Sequence, residues 1–183
     1  METLQLVKAC IKNDRQAQKV LYNKYASIML GVCYRYTKSL PDAEDILQEG
    51  FIKVFNHLKQ FKNKGDLGAW IRRIIVNTTL TYLKKHNRYK REMNLDDIAL
   101  HPVANEEVEV NVNLKDLVEY IRKLPVNYQT IFNLVAIEGY NHMEVAALLK
   151  TNVNTVRSQY SRARSLLMKQ ITEENNLCLN KIN

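Results

Sequence analysis

The residues best suited to chemistry stand between Val153 and Lys169. On a helix there, Val153, Val156, Tyr160, Ala163 and Leu167 recur every three or four positions and share one face, which leaves Asn154, Ser158, Ser161, Arg162 and Ser165 outward. Short hydroxyl and amide side chains with one arginine can reach base edges in a DNA major groove, while Arg157, Arg164 and Lys169 suit phosphates. Upstream, Gly139 fits the position just past a helix end, Asn141 with Glu144 makes a capping-box start, and Asn152 can cap the next helix after Lys150-Thr151. The order predicts a helix-turn-helix with Val153 opening the recognition helix. Its turn holds no glycine, so Lys150, Thr151 or Asn152 is expected to carry a mildly strained backbone.

A second candidate surface lies on a helix expected from about Ala69 to Tyr89. At about 100° per residue, Arg73, Asn77, Thr81, Lys84, Arg88 and Arg91 fall within about 80° of arc, and Ile71, Ile74, Ile75, Val76, Leu80, Tyr82 and Leu83 spread around the remainder. A largely buried helix would then expose one narrow cationic stripe. Phe61, Trp70, Tyr82 and Tyr89 are expected to flank it, and aromatics beside cations are what unstacked single-stranded bases require.

Catalytic and metal chemistry finds no comparable pattern. His57, His86, His101 and His142 are dispersed, no nucleophile elbow or phosphate-binding glycine loop occurs, and Asp42, Glu44 and Asp45 read as the anionic first turn of a helix. Cys10, Cys33 and Cys178 form no C-x-x-C pair and have no histidine at ligand spacing. They are expected to be small buried hydrophobes, with no cofactor and no metal. No signal-peptide pattern opens the chain, and no apolar run nears the roughly 18 residues of a membrane span, so a cytoplasmic location without membrane insertion is expected.

The elements that must position these residues are helical throughout. Among 183 residues, five glycines and three prolines are few, and apolar residues recur at three-to-four spacing rather than alternating. A short helix carries Leu4, Val7, Cys10 and Ile11; Asp14 caps a second to about Thr37; Pro41 opens a third to about Phe61, burying Leu47, Phe51, Val54, Phe55 and Leu58. The fourth bears the stripe, and residues 114–122, 126–138, 141–150 and 153–171 are expected to form four more.

Charge divides the chain. The net charge of +8 is distributed as +3 over residues 1–60, +8 over 61–91, −7 over 92–121 and +4 over 122–183. A basic block beside an acidic, irregular one predicts a polyanion-binding surface followed by a linker. The expected organisation is a first domain over 1–91, an acidic linker over 92–113, a helix-turn-helix domain over 114–171 and a disordered tail over 172–183. Some 22 linker residues would span roughly 25 Å as a coil and about 70 Å at full extension.

Several motifs stand together in one order: Asp42-Ala43-Glu44-Asp45-Ile46-Leu47-Gln48-Glu49, Phe51-Ile52-Lys53-Val54-Phe55, Ala69-Trp70-Ile71-Arg72-Arg73-Ile74 with Asn77, Leu124-Pro125, and Val153 to Arg164. In that order and spacing the chain resembles the extracytoplasmic-function (ECF) group of the sigma-70 family, over roughly residues 5–90 and 113–170. The resemblance implies a region-two domain and a region-four domain, a partnership with bacterial core RNA polymerase and promoter DNA, an anti-sigma factor, and no catalysis. By the same resemblance, Asp45, Gln48, Glu49 and Lys53 would dock on the polymerase clamp. The loop from Phe61 to Trp70 would capture a flipped base of the minus-ten element, and Asn77 matches a position that contacts it; together with the stripe this gives expected minus-ten contacts at Lys62, Lys64, Trp70, Arg73, Asn77, Thr81, Lys84 and Arg88. Asn154, Thr155, Arg157, Ser158, Ser161, Arg162 and Arg164 would read or grip the minus-thirty-five element. Ser161 is smaller than the side chain relatives often carry there.

The implied function is promoter-specific initiation by a protein that is monomeric when free of partners. The alternative is a stand-alone helix-turn-helix regulator, which would more naturally be a dimer on a palindrome.

Overall fold

The computed structural model of the chain describes residues 3–62, 65–93 and 114–179, and every regular element among them is helical. The chain divides into two compact units, residues 1–97 and 98–183. The expected linker falls outside the described residues from 94 to 113, as do residues 180–183 of the expected tail.

The first unit holds α1 (Thr3–Ile11), α2 (Arg15–Tyr34), α3 (Leu40–His57) and α4 (Leu67–Met93). Asp14 starts α2 by accepting the backbone N–H groups of Gln16 and Ala17 at 2.8 and 3.2 Å. Ser39 starts α3 by accepting the N–H of Asp42 at 3.2 Å, with Pro41 just inside. α3 packs against both α2 and α4, and Ile46, Leu47, Phe51 and Val54 of α3 are buried, as are Leu21 and Val32 of α2 and Ile71 and Ile75 of α4. Tyr22 of α2 meets Phe51 edge-on at 4.7 Å between ring centroids. Gly50 lets α3 approach α4 closely, because a Cβ there would collide with Ile75 Cδ1.

Two boundaries differ from the sequence expectation. α3 ends at His57, and Leu58–Gln60 continue as a 3₁₀ turn that reaches Phe61. α4 starts at Leu67, ahead of Ala69, because Asp66 accepts the N–H of Ala69 at 2.7 Å and holds the first turn. It then runs on to Met93, so Glu92 belongs to a helix instead of opening the linker.

The second unit holds α5 (Leu114–Lys123), α6 (Val126–Phe132), α7 (His142–Leu149) and α8 (Val153–Leu179). Tyr120, Ile121, Leu124, Ala163, Leu167 and Ile171 form its core, where α5 and α6 lie against α8. The helix expected over 126–138 is broken in character: from Asn133 to Ile137 it widens into a π turn. Two residues past its end, Gly139 takes φ 78°, the left-handed conformation expected past a helix end. Tyr140 N–H then bonds back to Leu134 O at 3.0 Å. α8 also continues past Ile171 to Leu179, correcting the expectation of disorder from Thr172.

Candidate nucleic-acid interface

α4 is buried on most of its circumference. Ile71, Ile75, Val76, Thr78, Thr79 and Leu80 are all at most 5% exposed, which a helix achieves only when neighbours cover several faces. Thr78 and Thr79 survive there because their hydroxyls donate to Ile74 O and Ile75 O, each at 2.9 Å. Opposite, Arg73, Asn77, Thr81 and Lys84 are exposed and share the stripe, and half-buried Trp70 falls within the same arc. Trp70 packs beside Phe61 with ring centroids 5.6 Å apart. Exposed Lys62 follows Phe61 directly, so an aromatic pair and a cation stand at the N-terminal end of the stripe. Lys64 and the side chains of Arg88, Tyr89 and Arg91 lie outside the described residues.

Tyr82 departs from expectation. It sits on the far side of α4 from the stripe, where its hydroxyl donates to Asp42 Oδ1 at 2.7 Å and its ring stacks on His86 at 4.1 Å. Burial first, then the hydrogen bond to Asp42 and the charges of Asp42 and Asp45, push its pKa up to about 12, so the hydroxyl stays a donor. It is an inter-helix tie, not a platform for bases.

In the second unit the capping box forms in full. Asn141 Oδ1 accepts the N–H groups of Met143 and Glu144 at 2.9 and 3.0 Å, and Glu144 Oε2 accepts the N–H of Asn141 at 2.8 Å. α7 closes at Lys150, which takes φ 54° and ψ 49°, so the backbone strain expected of this glycine-free turn falls on Lys150. Asn152 then accepts the N–H of Asn154 at 2.8 Å and starts α8. Val156 and Ala163 are fully buried, which turns Asn154, Arg157, Ser158, Ser161, Arg162 and Arg164 outward, all exposed. Thr155 is half-buried at the edge of that face. Among the described residues no carboxylate pairs with Arg157, Arg162 or Arg164, whereas Lys169 lies 3.8 Å from Glu173. The hydroxyls of Ser158 and Ser165 donate to Thr155 O and Ser161 O, and exposed Ser158 keeps acceptor capacity toward solvent.

α3 presents a different chemistry. Asp45, Gln48 and Glu49 are exposed on one side, with Lys53 ion-paired to Glu49 at 2.5 Å. Gln48 borders an open groove of about 400 Å³ between α2 and α3, lined also by Tyr22, Ala26, Leu30, Glu44 and Leu47. Ile52, one turn on from Gln48, is 61% exposed. An acidic and apolar helix face on the unit that carries the cationic stripe suits a protein partner better than nucleic acid.

No group of three or more metal-ligating side chains occurs among the described residues. Cys33 is fully buried, and burial pushes its thiol up to about 11, which leaves it a poor nucleophile. No helix among the described residues is long and apolar enough to cross a membrane.

Comparison with known proteins decides the family. Residues 21–89 match the model for sigma-70 region 2, and residues 114–167 match that for sigma-70 region 4. The ECF RNA polymerase sigma-E factor of Escherichia coli is 30% identical over 173 residues, covering 88% of this chain and 90% of that protein. The chain belongs to the ECF family of RNA polymerase sigma factors. The RNA polymerase sigma-H factor of Pseudomonas aeruginosa is 28% identical over 178 residues, covering 91% of this chain and 92% of the relative. This sigma factor also shares its fold with two solved structures at 20% identity: the sigma factor RpoE bound to the anti-sigma factor NepR from Bartonella quintana, with a TM-score of 0.52 over 82% of this chain and 94% of that one, and CnrH bound to the cytosolic domain of CnrY, with 0.50 over 92% and 96%. It is thus a promoter-specificity subunit that joins core RNA polymerase and directs transcription initiation, and the stand-alone regulator is not favoured. Sigma factors are initiation factors, not enzymes.

Region 2 covers most of α2, all of α3 and most of α4, and region 4 covers α5 to the middle of α8. Sequence reasoning missed the Asp42–Tyr82 bond and the Asp66 start of α4. An Asp three residues before Ala69 was a legible capping signal; the tyrosine's partner, forty residues away, was not.

Proposed function

We propose that the sigma factor divides promoter recognition between α4 and α8. Asn154, Thr155, Ser158, Ser161 and Arg162 read base edges of duplex DNA at the minus-thirty-five element, and Arg157 and Arg164 grip its phosphates. Lys62, Lys64, Trp70, Arg73, Asn77, Thr81, Lys84 and Arg88 hold the unpaired strand of the minus-ten element, with Phe61 and Trp70 at the end where a base leaves the stack. Stacking contributes about 1–3 kcal/mol per base, which offsets part of the cost of melting. Asp45, Gln48, Glu49 and Lys53 dock on the polymerase. The domains that go with these roles are the ones expected over 1–91 and 114–171, extended to the ends of α4 and α8, with the residues between Met93 and Leu114 as the tether.

What supports the division is the exposure of Arg73, Asn77, Thr81 and Lys84 along one side of an otherwise buried helix, beside a partnered aromatic pair. We further propose that the protein works in the cytoplasm, has no catalytic residue of its own and is held in check by an anti-sigma factor, as RpoE and CnrH are each bound by a partner in the structures that share its fold.

Reconstitution tests the reading. Added to bacterial core polymerase, the protein should co-elute with it and start transcription at discrete sites on genomic DNA, and the Asn77→Ala and Arg162→Ala variants should lose those starts while still co-eluting. If both variants initiate at the wild-type level, the assigned surfaces are wrong.

A further inference from the structure

We propose that Asp42 and Tyr82 form a positioning pair that fixes the rotation of α4, and with it the nucleic-acid stripe, on the polymerase-docking helix α3. The inference rests on the stripe reading above and adds to it two residues that touch neither DNA nor polymerase.

The geometry is that of a two-point mount. α3 and α4 run antiparallel, since Gly50 of α3 meets Ile75 of α4 while Asp42, two turns nearer the start of α3, meets Tyr82, two turns further along α4. The first point is steric, at a glycine where a Cβ would force the tip of the Ile75 side chain to move. The second is directional: Tyr82 Oη donates to Asp42 Oδ1 at 2.7 Å. Seven residues of α4 separate the points, about 10 Å of helix.

Both members of the second point are themselves held. Asp42 lies in the first turn of α3, where its N–H is bound by Ser39 Oγ and where the helix dipole favours its negative charge. The ring of Tyr82 is stacked on His86 one turn on. α3 begins at Leu40, so this bond is made at the very end of the helix that supports α4. Asn77, Thr81 and Lys84 occupy the same stretch of α4 on its opposite side. If α4 turned by about 20°, side-chain tips about 5–6 Å off its axis would move by about 2 Å, more than a preorganised site tolerates. The pair also links the helix assigned to polymerase to the helix assigned to the opened strand, so docking and strand capture share one rigid reference.

The test uses the full chain in holoenzyme, on promoter DNA built from a start site the wild-type holoenzyme selects, with 2-aminopurine in the minus-ten segment reporting strand opening. Tyr82→Phe and Asp42→Ala should each slow opening by up to about tenfold, the worth of one hydrogen bond. Affinity for core polymerase should stay at the wild-type value, and the thermal midpoint of the free protein should fall only by the few degrees that one hydrogen bond is worth. Asp42→Asn, whose carbonyl oxygen still accepts, should restore opening, and the Tyr82→Phe/Asp42→Ala double variant should be no slower than either single.

Wild-type opening by Tyr82→Phe, alongside slow opening by Asn77→Ala and Lys84→Ala, would overturn the positioning role and leave the stripe intact. Wild-type opening by all of these variants would overturn the stripe reading itself. An equally destabilising Val54→Ala variant that opens as slowly as Tyr82→Phe, or an Asp42→Asn variant as slow as Asp42→Ala, would reduce the pair to ordinary packing and also defeat the proposal.

Discussion

α4 and α8 are each 27 residues long and each carries one of the faces proposed for nucleic acid, yet they are mounted in opposite ways. α4 is enclosed by α2 and α3, so that its face is what the bundle leaves uncovered. α8 is buried along one stripe only, and its face is aimed by the turn that precedes it: Lys150 in the left-handed region, then Asn152 as cap. Enclosure suits a surface that must hold bases already out of the duplex, because a rigid wall with an aromatic end offers stacking. Projection suits a helix that must enter a groove about 12 Å wide. Rigidity comes from packing in the first case and from local backbone geometry in the second.

The contrast is sharpest in core substitutions. Ile75 is fully buried between α4 and its neighbours, so Ile75→Ala should cost about 2–5 kcal/mol. Thermal unfolding should drop for the first unit alone, with the transition of the second unit unchanged in a calorimetric scan. A drop shared equally by both units would show that α4 is not mounted independently of α8.

Next in size is a change confined to the projecting face. Arg162 is exposed and carries no ion pair among the described residues, so Arg162→Ala should leave the fold unaltered. It should cost about 1–3 kcal/mol in holoenzyme binding at the minus-thirty-five element and relax selectivity at the bases it reads. Uniform loss across sequences, measured on a set of single-base promoter variants, would make it a phosphate contact instead.

Much of this contrast was legible in the sequence. The apolar spacing located the buried arc of α4 and the single stripe of α8, and the caps at Asp14, Asn141 and Asn152 were signalled by residue type. What escaped depended on packing or on small changes of helix geometry. The π turn over Asn133–Ile137 leaves apolar residues close to their three-to-four spacing, so periodicity cannot register it. Thr172 to Asn176 reads as a polar tail, yet α8 continues through it, aided by the Lys169–Glu173 pair. Tyr82 stands in sequence among the aromatics that flank the stripe, but its neighbour across the α3–α4 contact, which no local spacing encodes, decides its role. The site residues followed from pattern and resemblance together: spacing proposed the two faces, and the family resemblance assigned them to separate promoter elements.

On the enclosed face a smaller effect is expected. Lys84 is exposed and lies on the stripe, where a lysine acts as a point charge toward phosphate. Lys84→Ala should weaken holoenzyme binding to single-stranded minus-ten DNA of any sequence and flatten the slope of log affinity against log salt by about 0.7. A loss that varies with base identity would move Lys84 from backbone to base contact, bringing the enclosed face closer in kind to the projecting one.

The smallest effect tests how α8 is aimed. Lys150 holds φ at 54°, a conformation that costs a residue with a Cβ about 1–2 kcal/mol and costs glycine little. Lys150→Gly should therefore relieve that strain, but glycine also loses more backbone freedom on folding, so the net gain in stability of the second unit should be at most about 1 kcal/mol. Lys150→Val should lose more than that, because a β-branched side chain is especially disfavoured there. Denaturant midpoints of the second unit give both numbers. If the turn only relieves strain, Lys150→Gly should bind promoter DNA like the wild type; if the strained residue also stiffens the angle between α7 and α8, the glycine variant will be more stable and yet bind the minus-thirty-five element less tightly. The second outcome would make the aim of the projecting helix depend on one residue, where the enclosed helix depends on a whole core.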